Sequence, residues 1–375
     1  MLQTVALMGV FGFGIVSALI GALKIQLAKV LDINDAEVGG LVSALMVSCT
    51  VVVFLAGVLV DLIGHQWLAS AGFLTASASL FLLVSVKSYR MALVACLFLG
   101  AGGQCVNVVG STLLPMVLFG GKNAPAAMNL GTAFYGLGAF IAPSMTGVLL
   151  KHIGYKATGC LIALLLFVPV GFALTAPYPP MTRGVTPLQG LGFLTDSLIV
   201  MVSVILFCGL GLQASMGAWI TTYGRSVGFG ERSLSMILSL FWISLMMGRL
   251  MASSLVNLEI GAKAIAVVSA LAVLSISVAI IFRSRAATYS YIVAGFATGP
   301  ILPTAIGIAF GHTPEAHHGM IFGITFAIGY LGASTIPGVI GIVSRKKTIY
   351  KGLRIAIAAA LVVSIMALII DRFYH

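Results

Sequence analysis

Acidic side chains are scarce. Nine Asp and Glu stand against twenty Lys and Arg in 375 residues, and charged residues of both signs make up only 8% of the chain. A soluble domain carries about 25%, so this chain has too little charge to cover a water-facing surface. A soluble enzyme, a nucleic-acid binder and a disordered protein are excluded together. The formal net charge of +11 does not reinstate nucleic acid, because the basic residues punctuate long apolar runs and form no continuous face. Cys49, Cys96, Cys105, Cys160 and Cys208 all lie inside apolar runs, without CxxC or metal-ligand spacing, and read as small buried hydrophobes. No metal or other cofactor is expected. The apolar runs also lack HExxH, GxSxG and paired carboxylates, which argues against an intramembrane enzyme. Residues 1–31 are apolar from the start and lack a basic n-region, so no cleavable signal peptide is expected.

What the chain has is hydrophobic residues, at 60%, and 44 glycines. A bilayer-crossing helix needs roughly 20 apolar residues, and its backbone must satisfy its own hydrogen bonds. Runs bounded by charged or Pro/Gly-rich breaks number twelve: 4–31, 38–60, 66–86, 90–119, 126–150, 157–176, 196–225, 232–256, 261–282, 287–311, 317–343 and 350–370. The Pro- and Gly-rich stretch 177–195 divides them six and six. The expected organisation is an N-terminal bundle at 1–176, a linker at 177–195 and a C-terminal bundle at 196–375. The fold class is all-α: twelve transmembrane helices in two pseudo-symmetric six-helix bundles.

The halves repeat. Gly138, Pro143 and Gly147 recur as Gly332, Pro337 and Gly341 at an offset of 194, while Gly21-Ala22 and Asp61 align with Gly217-Ala218 and Asn257 at 196. Two parallel six-helix repeats are a transporter architecture with its substrate site near the midplane between the halves. Pro143 and Pro337 are matched mid-helix points at which the helices can bend.

The connection after the second run reads Gly57-Val-Leu-Val-Asp61-Leu-Ile-Gly64-His65. It resembles the signature of the major facilitator superfamily, in which Gly, Asp and a second Gly precede basic residues; here Leu62, His65 and Gln66 occupy the basic positions. Met128 to Gly138, Ser239 to Leu250 and Gly217 to Tyr223 are similar to spans five, eight and seven of the fucose/galactose/glucose proton symporters and their sodium-glucose-transporter-like relatives. The resemblance implies the major facilitator fold, gating or structural roles for Gly57, Asp61, Gly64 and Arg249, and a sugar as solute. The sequence departs from that branch in its acids. The relatives carry membrane-embedded carboxylates in spans one and four, whereas span one here has none and span four offers Gln104 and Asn107. All nine acids fall at span ends or in connections.

Buried polar groups inside a bilayer are costly and mark function. Gln104 and Asn107 are three apart and share a helix face. Asn129 and Thr132 share another, with Tyr135 a turn further on. Span seven adds Gln213, Trp219 and Tyr223, and span eight adds Trp242. Amides flanked by aromatic rings suit a neutral polyhydroxylated ligand, the amides meeting hydroxyls and the rings meeting its C–H face. Each residue also has a structural reading, as an interhelical hydrogen bond or an interfacial anchor. Lys24 lies inside span one, either snorkelling to the interface or facing a cavity as a cation for an anionic group. Pro300 and Pro303 break span ten, which points to a moving gate.

Of the twenty basic residues, Lys24 and Arg249 lie within spans. Lys122, Arg183, Lys263 and Arg372 lie on the side of the termini, and the remaining fourteen lie on the opposite side. Charge alone therefore places the termini outside, against the family, whose termini are cytoplasmic.

The expected function is a secondary active or facilitative transporter of a small polar solute, most simply a sugar, working by alternating access. The alternative is an organic-anion transporter using Lys24 and the basic outer rim. The expected partners are the solute, the lipid bilayer and, where transport is coupled, a proton or sodium ion; nucleic acid is not among them. A monomer in the bacterial inner membrane is expected.

Overall fold

Inside a bilayer no water is available to the backbone, so each apolar run must close its N–H and C=O groups within a helix. In the computed structural model, which describes residues 1–178 and 190–374, the described residues form helices, turns and no strand. The helices are α1 (Leu2–Leu31), α2 (Asp35–Ile63), α3 (His65–Ser85), α4 (Tyr89–Val117), α5 (Ala124–Phe167), α6 (Pro169–Thr175), α7 (Ser197–Ser226), α8 (Glu231–Leu255), α9 (Leu258–Phe282), α10 (Arg285–Thr288), α11 (Ser290–Thr298), α12 (Ile301–Gly311), α13 (His318–Lys346) and α14 (Ile349–Tyr374). Residues 179–189 of the expected linker, Arg183 among them, lie outside the described residues.

The helix starts follow side-chain chemistry. Asn34 and Glu37 form a reciprocal capping box at α2, and Asn123, Asp196, Asn257 and Ser284 each accept a first-turn N–H of α5, α7, α9 and α10. These caps satisfy donors that a helix cannot serve itself.

Among the described residues, eleven segments are long and apolar enough to cross a membrane, against twelve runs in the sequence. The fifth and sixth runs are separated by a sharp kink and not by an extended connection. The stretch Ala124–Thr175 counts as one segment of 52 residues, but Gly154, at φ 75° and ψ 177°, leaves helical geometry and divides it into two helices. Span ten is broken where Pro300 and Pro303 predict: α11 ends at Thr298 and α12 begins at Ile301. Large apolar side chains point outward along these helices, with Ile25 79% and Ile281 70% exposed. Only a hydrocarbon solvent accepts so much exposed apolar surface.

The chain divides into two compact units. The first comprises Met1–Gly120, Phe134–Leu188 and Glu315–Gly323; the second comprises Gly121–Ala133, Gln189–Pro314 and Ile324–His375. In the first, α4 runs along α1, α2 and α3, and Leu19, Leu23, Leu41, Leu80 and Leu99 fill the core. In the second, α9 packs along α14, and α11 along α8.

One close approach occurs in both units. A Cβ on Gly138 in α5 would fall inside contact distance of the Phe11 carbonyl in α1, and a Cβ on Gly332 in α13 would do the same at the Phe207 carbonyl in α7. Phe11 and Phe207 differ by 196 positions, and the glycines by 194. Only glycine lets the two backbones meet there.

Candidate functional site

Gln104 and Asn107 share a face of α4, as their spacing predicts. Gln104 is fully buried, and neither Oε1 nor Nε2 has a hydrogen-bond partner in the protein. Leaving a buried amide unpaired costs about 1–3 kcal/mol, so its retention asks for a reason beyond packing. Asn107 is buried at 7% exposure. In the same unit Tyr135 is half-buried, its ring 5.5 Å from that of Phe13 and tilted by 32°. Pro143 is exposed on α5, further toward its C-terminal end.

Lys24 is corrected. It is exposed, and its Nζ lies 3.1 Å from the carboxylate of Asp35 at the start of α2. It is therefore a paired surface cation rather than an uncompensated charge awaiting an anion, and an exposed pair of this kind contributes at most about 1 kcal/mol.

Asp61 is buried near the end of α2, and its two carboxylate oxygens accept the backbone N–H groups of Gly319 (3.1 Å) and Met320 (2.7 Å) in the first turn of α13. The unsatisfied donors and positive dipole end of a helix favour a carboxylate there. Gly57, one turn earlier, abuts Gly319 and Gly323, where a Cβ would collide with the Gly319 carbonyl. Gly64, at φ 85°, both ends α2 and begins α3. The signature thus clamps the start of α13. The opening turn of α3 adds His65 Nε2, 3.1 Å from Thr112 Oγ1 of α4.

In the second unit most of the nominated polar groups are spent on backbone. Pro303 lacks an N–H, so the carbonyl of Gly299, four residues earlier, loses its helical donor. Arg249, from α8, supplies one: its Nε donates to the Gly299 carbonyl at 3.1 Å, and its Nη1 donates to the Thr132 carbonyl of α5 at 3.0 Å. Gln213 donates to the Thr298 carbonyl beside the same break at 2.7 Å. Asn129 donates to the Pro125 carbonyl and to Thr304 Oγ1 (2.8 Å), while its own Oδ1 stays unpartnered. The Thr132 hydroxyl returns to its own helix at Met128. Trp219 Nε1 donates to the Pro337 carbonyl, 3.2 Å away at the proline of α13.

Two aromatic residues part company. Tyr223 is wholly buried, donates to the Ala279 carbonyl at 2.7 Å, and packs 5.2 Å from Tyr291, which is the structural reading of this residue. Trp242 is 46% exposed, edge-on to Phe241.

The residues that brace the break in span ten, Gly299, Thr298 and Thr304, were not singled out from sequence. The one available signal was the four-residue reach of Pro303 back to Gly299.

Bilayer-length helices with apolar outer faces, a buried arginine and amides braced on helix breaks define a multi-span membrane protein of the transporter kind. The family model of the Major Facilitator Superfamily matches residues 5–337, and the chain belongs to that superfamily. No curated protein sequence matches it. Among solved structures it is similar to FucP in the outward conformation (TM-score 0.82, 15% identity, 98% of each chain covered). It is also similar to a variant of the E. coli fucose:proton symporter FucP (0.80, 14%, 98% of each) and to the human organic anion transporter MFSD10 (0.77, 15%, 98% of each). At these identities the likeness speaks for the fold.

Proposed function

We propose that this chain is a facilitative transporter of a small uncharged polyhydroxylated solute, a sugar or related polyol, working by alternating access in a bacterial inner membrane. Its twelve crossings form two six-helix halves, the long α5–α6 segment counting as two at the Gly154 kink. Gln104 and Asn107 take the solute's hydroxyls, and Tyr135 offers its ring to the C–H face. The observation that carries this reading is the fully buried, unpartnered amide of Gln104: an amide donates and accepts, which suits a hydroxyl better than a carboxylate. Gln213 and Arg249 hold backbone carbonyls at the break in α11–α12, Asn129 holds the Thr304 hydroxyl in α12, and the three act as gate groups. Uncoupled transport is favoured because the acids of the sequence sit at helix ends, which leaves no mid-span carboxylate to carry a proton. Lys24, paired with Asp35, gives little support to the organic-anion alternative.

The test is uptake into proteoliposomes of labelled neutral sugars, carboxylates and phosphate esters, with internal pH and sodium tracked. Saturable uptake of a neutral sugar without a change in internal pH or sodium is expected. Saturable uptake confined to carboxylates or phosphate esters would replace the sugar reading with the anion one, and flux that fails to saturate would point to a channel.

A further inference from the structure

The outer face of α9 and α14 carries a feature the transport reading does not use. On α14 the exposed positions Lys351, Arg354, Leu361, Ile365 and Leu368 recur at helical spacing as one stripe. On α9, which packs along it, Val267, Leu274 and Ile281 recur every seven residues, each at least 61% exposed. Both stripes are apolar along their length and end in cations at the same end of the pair.

That end is strongly basic. Residues 283–290 and 344–354, the two connections there, contain seven Lys and Arg and no acid. Arg345, Lys346 and Lys347 are exposed at the close of α13 and just beyond it. Arg283 is held beside them, its guanidinium 4.5 Å over the Tyr350 ring and its Nε donating to the Ile280 carbonyl. At the other end of the same two helices Lys263 faces Asp371 at 3.8 Å. One end of the face therefore carries a lysine–carboxylate pair, whereas the two connections at the other end carry cations and no acid of their own.

We propose that this surface binds anionic phospholipid, with Arg283, Arg345, Lys346, Lys347, Lys351 and Arg354 taking the phosphate and the stripes on α9 and α14 taking the acyl chains. A soluble anion would use the cations alone, whereas a lipid sets its phosphate on them and its acyl chains against the apolar stripes that face the hydrocarbon. Guanidinium forks match phosphate oxygens in pairs, and clustered Lys/Arg next to a membrane helix are the recognised attraction for acidic headgroups.

The test uses the full-length protein in mild detergent, titrated with phosphatidylglycerol or phosphatidylcholine, with retained lipid read by native mass spectrometry and stability by thermal melting. Phosphatidylglycerol is expected to be retained and to raise the melting midpoint, with phosphatidylcholine doing neither. The triple variant Arg345→Gln, Lys346→Gln, Lys347→Gln should retain at least about tenfold less phosphatidylglycerol while melting normally in phosphatidylcholine, and Lys263→Gln should retain as much as the parent. If the triple variant does not fold, the parent protein still decides, because retention must fall severalfold when salt is raised from about 0.1 to 0.5 M. Equal retention of both lipids, salt-insensitive retention, or a matching shift with inorganic phosphate or glycerol 3-phosphate alone would each overturn the proposal, the last by making this a soluble-anion site.

Discussion

Arg249 donates through Nε to the carbonyl of Gly299 at 3.1 Å, the carbonyl that Pro303 leaves without a helical donor. A second guanidinium nitrogen holds the Thr132 carbonyl. One side chain thus repairs a break in its neighbours and fastens α8 to the start of α5. Replacing Arg249 by alanine removes two charge-assisted hydrogen bonds and is expected to cost about 2–4 kcal/mol, read as a lower melting temperature in detergent. Lysine, a point donor without the planar fork, should fall in between; a lysine variant melting with the parent would show that the fork is not needed.

The same geometry predicts coupling. Pro303→Ala restores an N–H to Gly299 and should recover about 1 kcal/mol of the stability lost in Arg249→Ala, a non-additivity measurable in a double-mutant cycle. Strict additivity of the two changes would separate Arg249 from the proline break.

Asp61 accepts two backbone N–H groups at the start of α13. Asn keeps one acceptor and loses the charge that the helix terminus favours, while Ala keeps neither. Stability should fall in the order Asp, Asn, Ala, with about 2 kcal/mol or more lost in the alanine variant. Thermal melts of the three proteins in one detergent give the ranking, and equal loss in Asn and Ala would assign the whole effect to charge.

Gln104 should show stability and function pulling apart. Gln104→Leu relieves an unpaired buried amide and is expected to raise stability by about 1 kcal/mol while abolishing solute uptake. A leucine variant that transports normally would remove Gln104 from the site, whatever happens to its melting point.

Gly138 and Gly332 should behave alike. Alanine at either position pushes a Cβ into a facing carbonyl and is expected to destabilise by about 1–3 kcal/mol, with comparable shifts in melting temperature for the two variants. A large effect at one and none at the other would count against the correspondence of Phe11–Gly138 with Phe207–Gly332.

The membrane-spanning character, nearly all helix positions and the break in span ten were readable from hydropathy and residue type. The boundary between the fifth and sixth runs was also readable, from Lys151, His152 and Lys156, and the backbone leaves helical geometry there at Gly154. Of the candidate site, Gln104 and Asn107 fell on one face as expected. Lys24 took the interfacial one of its two readings, paired with Asp35, and Tyr223 took its structural one, bonded to the Ala279 carbonyl.

Composition and the spacing of apolar residues determined that this chain dissolves in a bilayer as helices, because hydropathy and backbone satisfaction act over one turn at a time and are written locally. Partnership was decided in three dimensions. Arg249 and Thr132 are 117 residues apart, and Asp61 and Met320 are 259 apart. No local pattern states which carbonyl a guanidinium will reach, that Asp35 neutralises Lys24, or that Gln104 is left without a partner, since each depends on which helix the packing brings alongside.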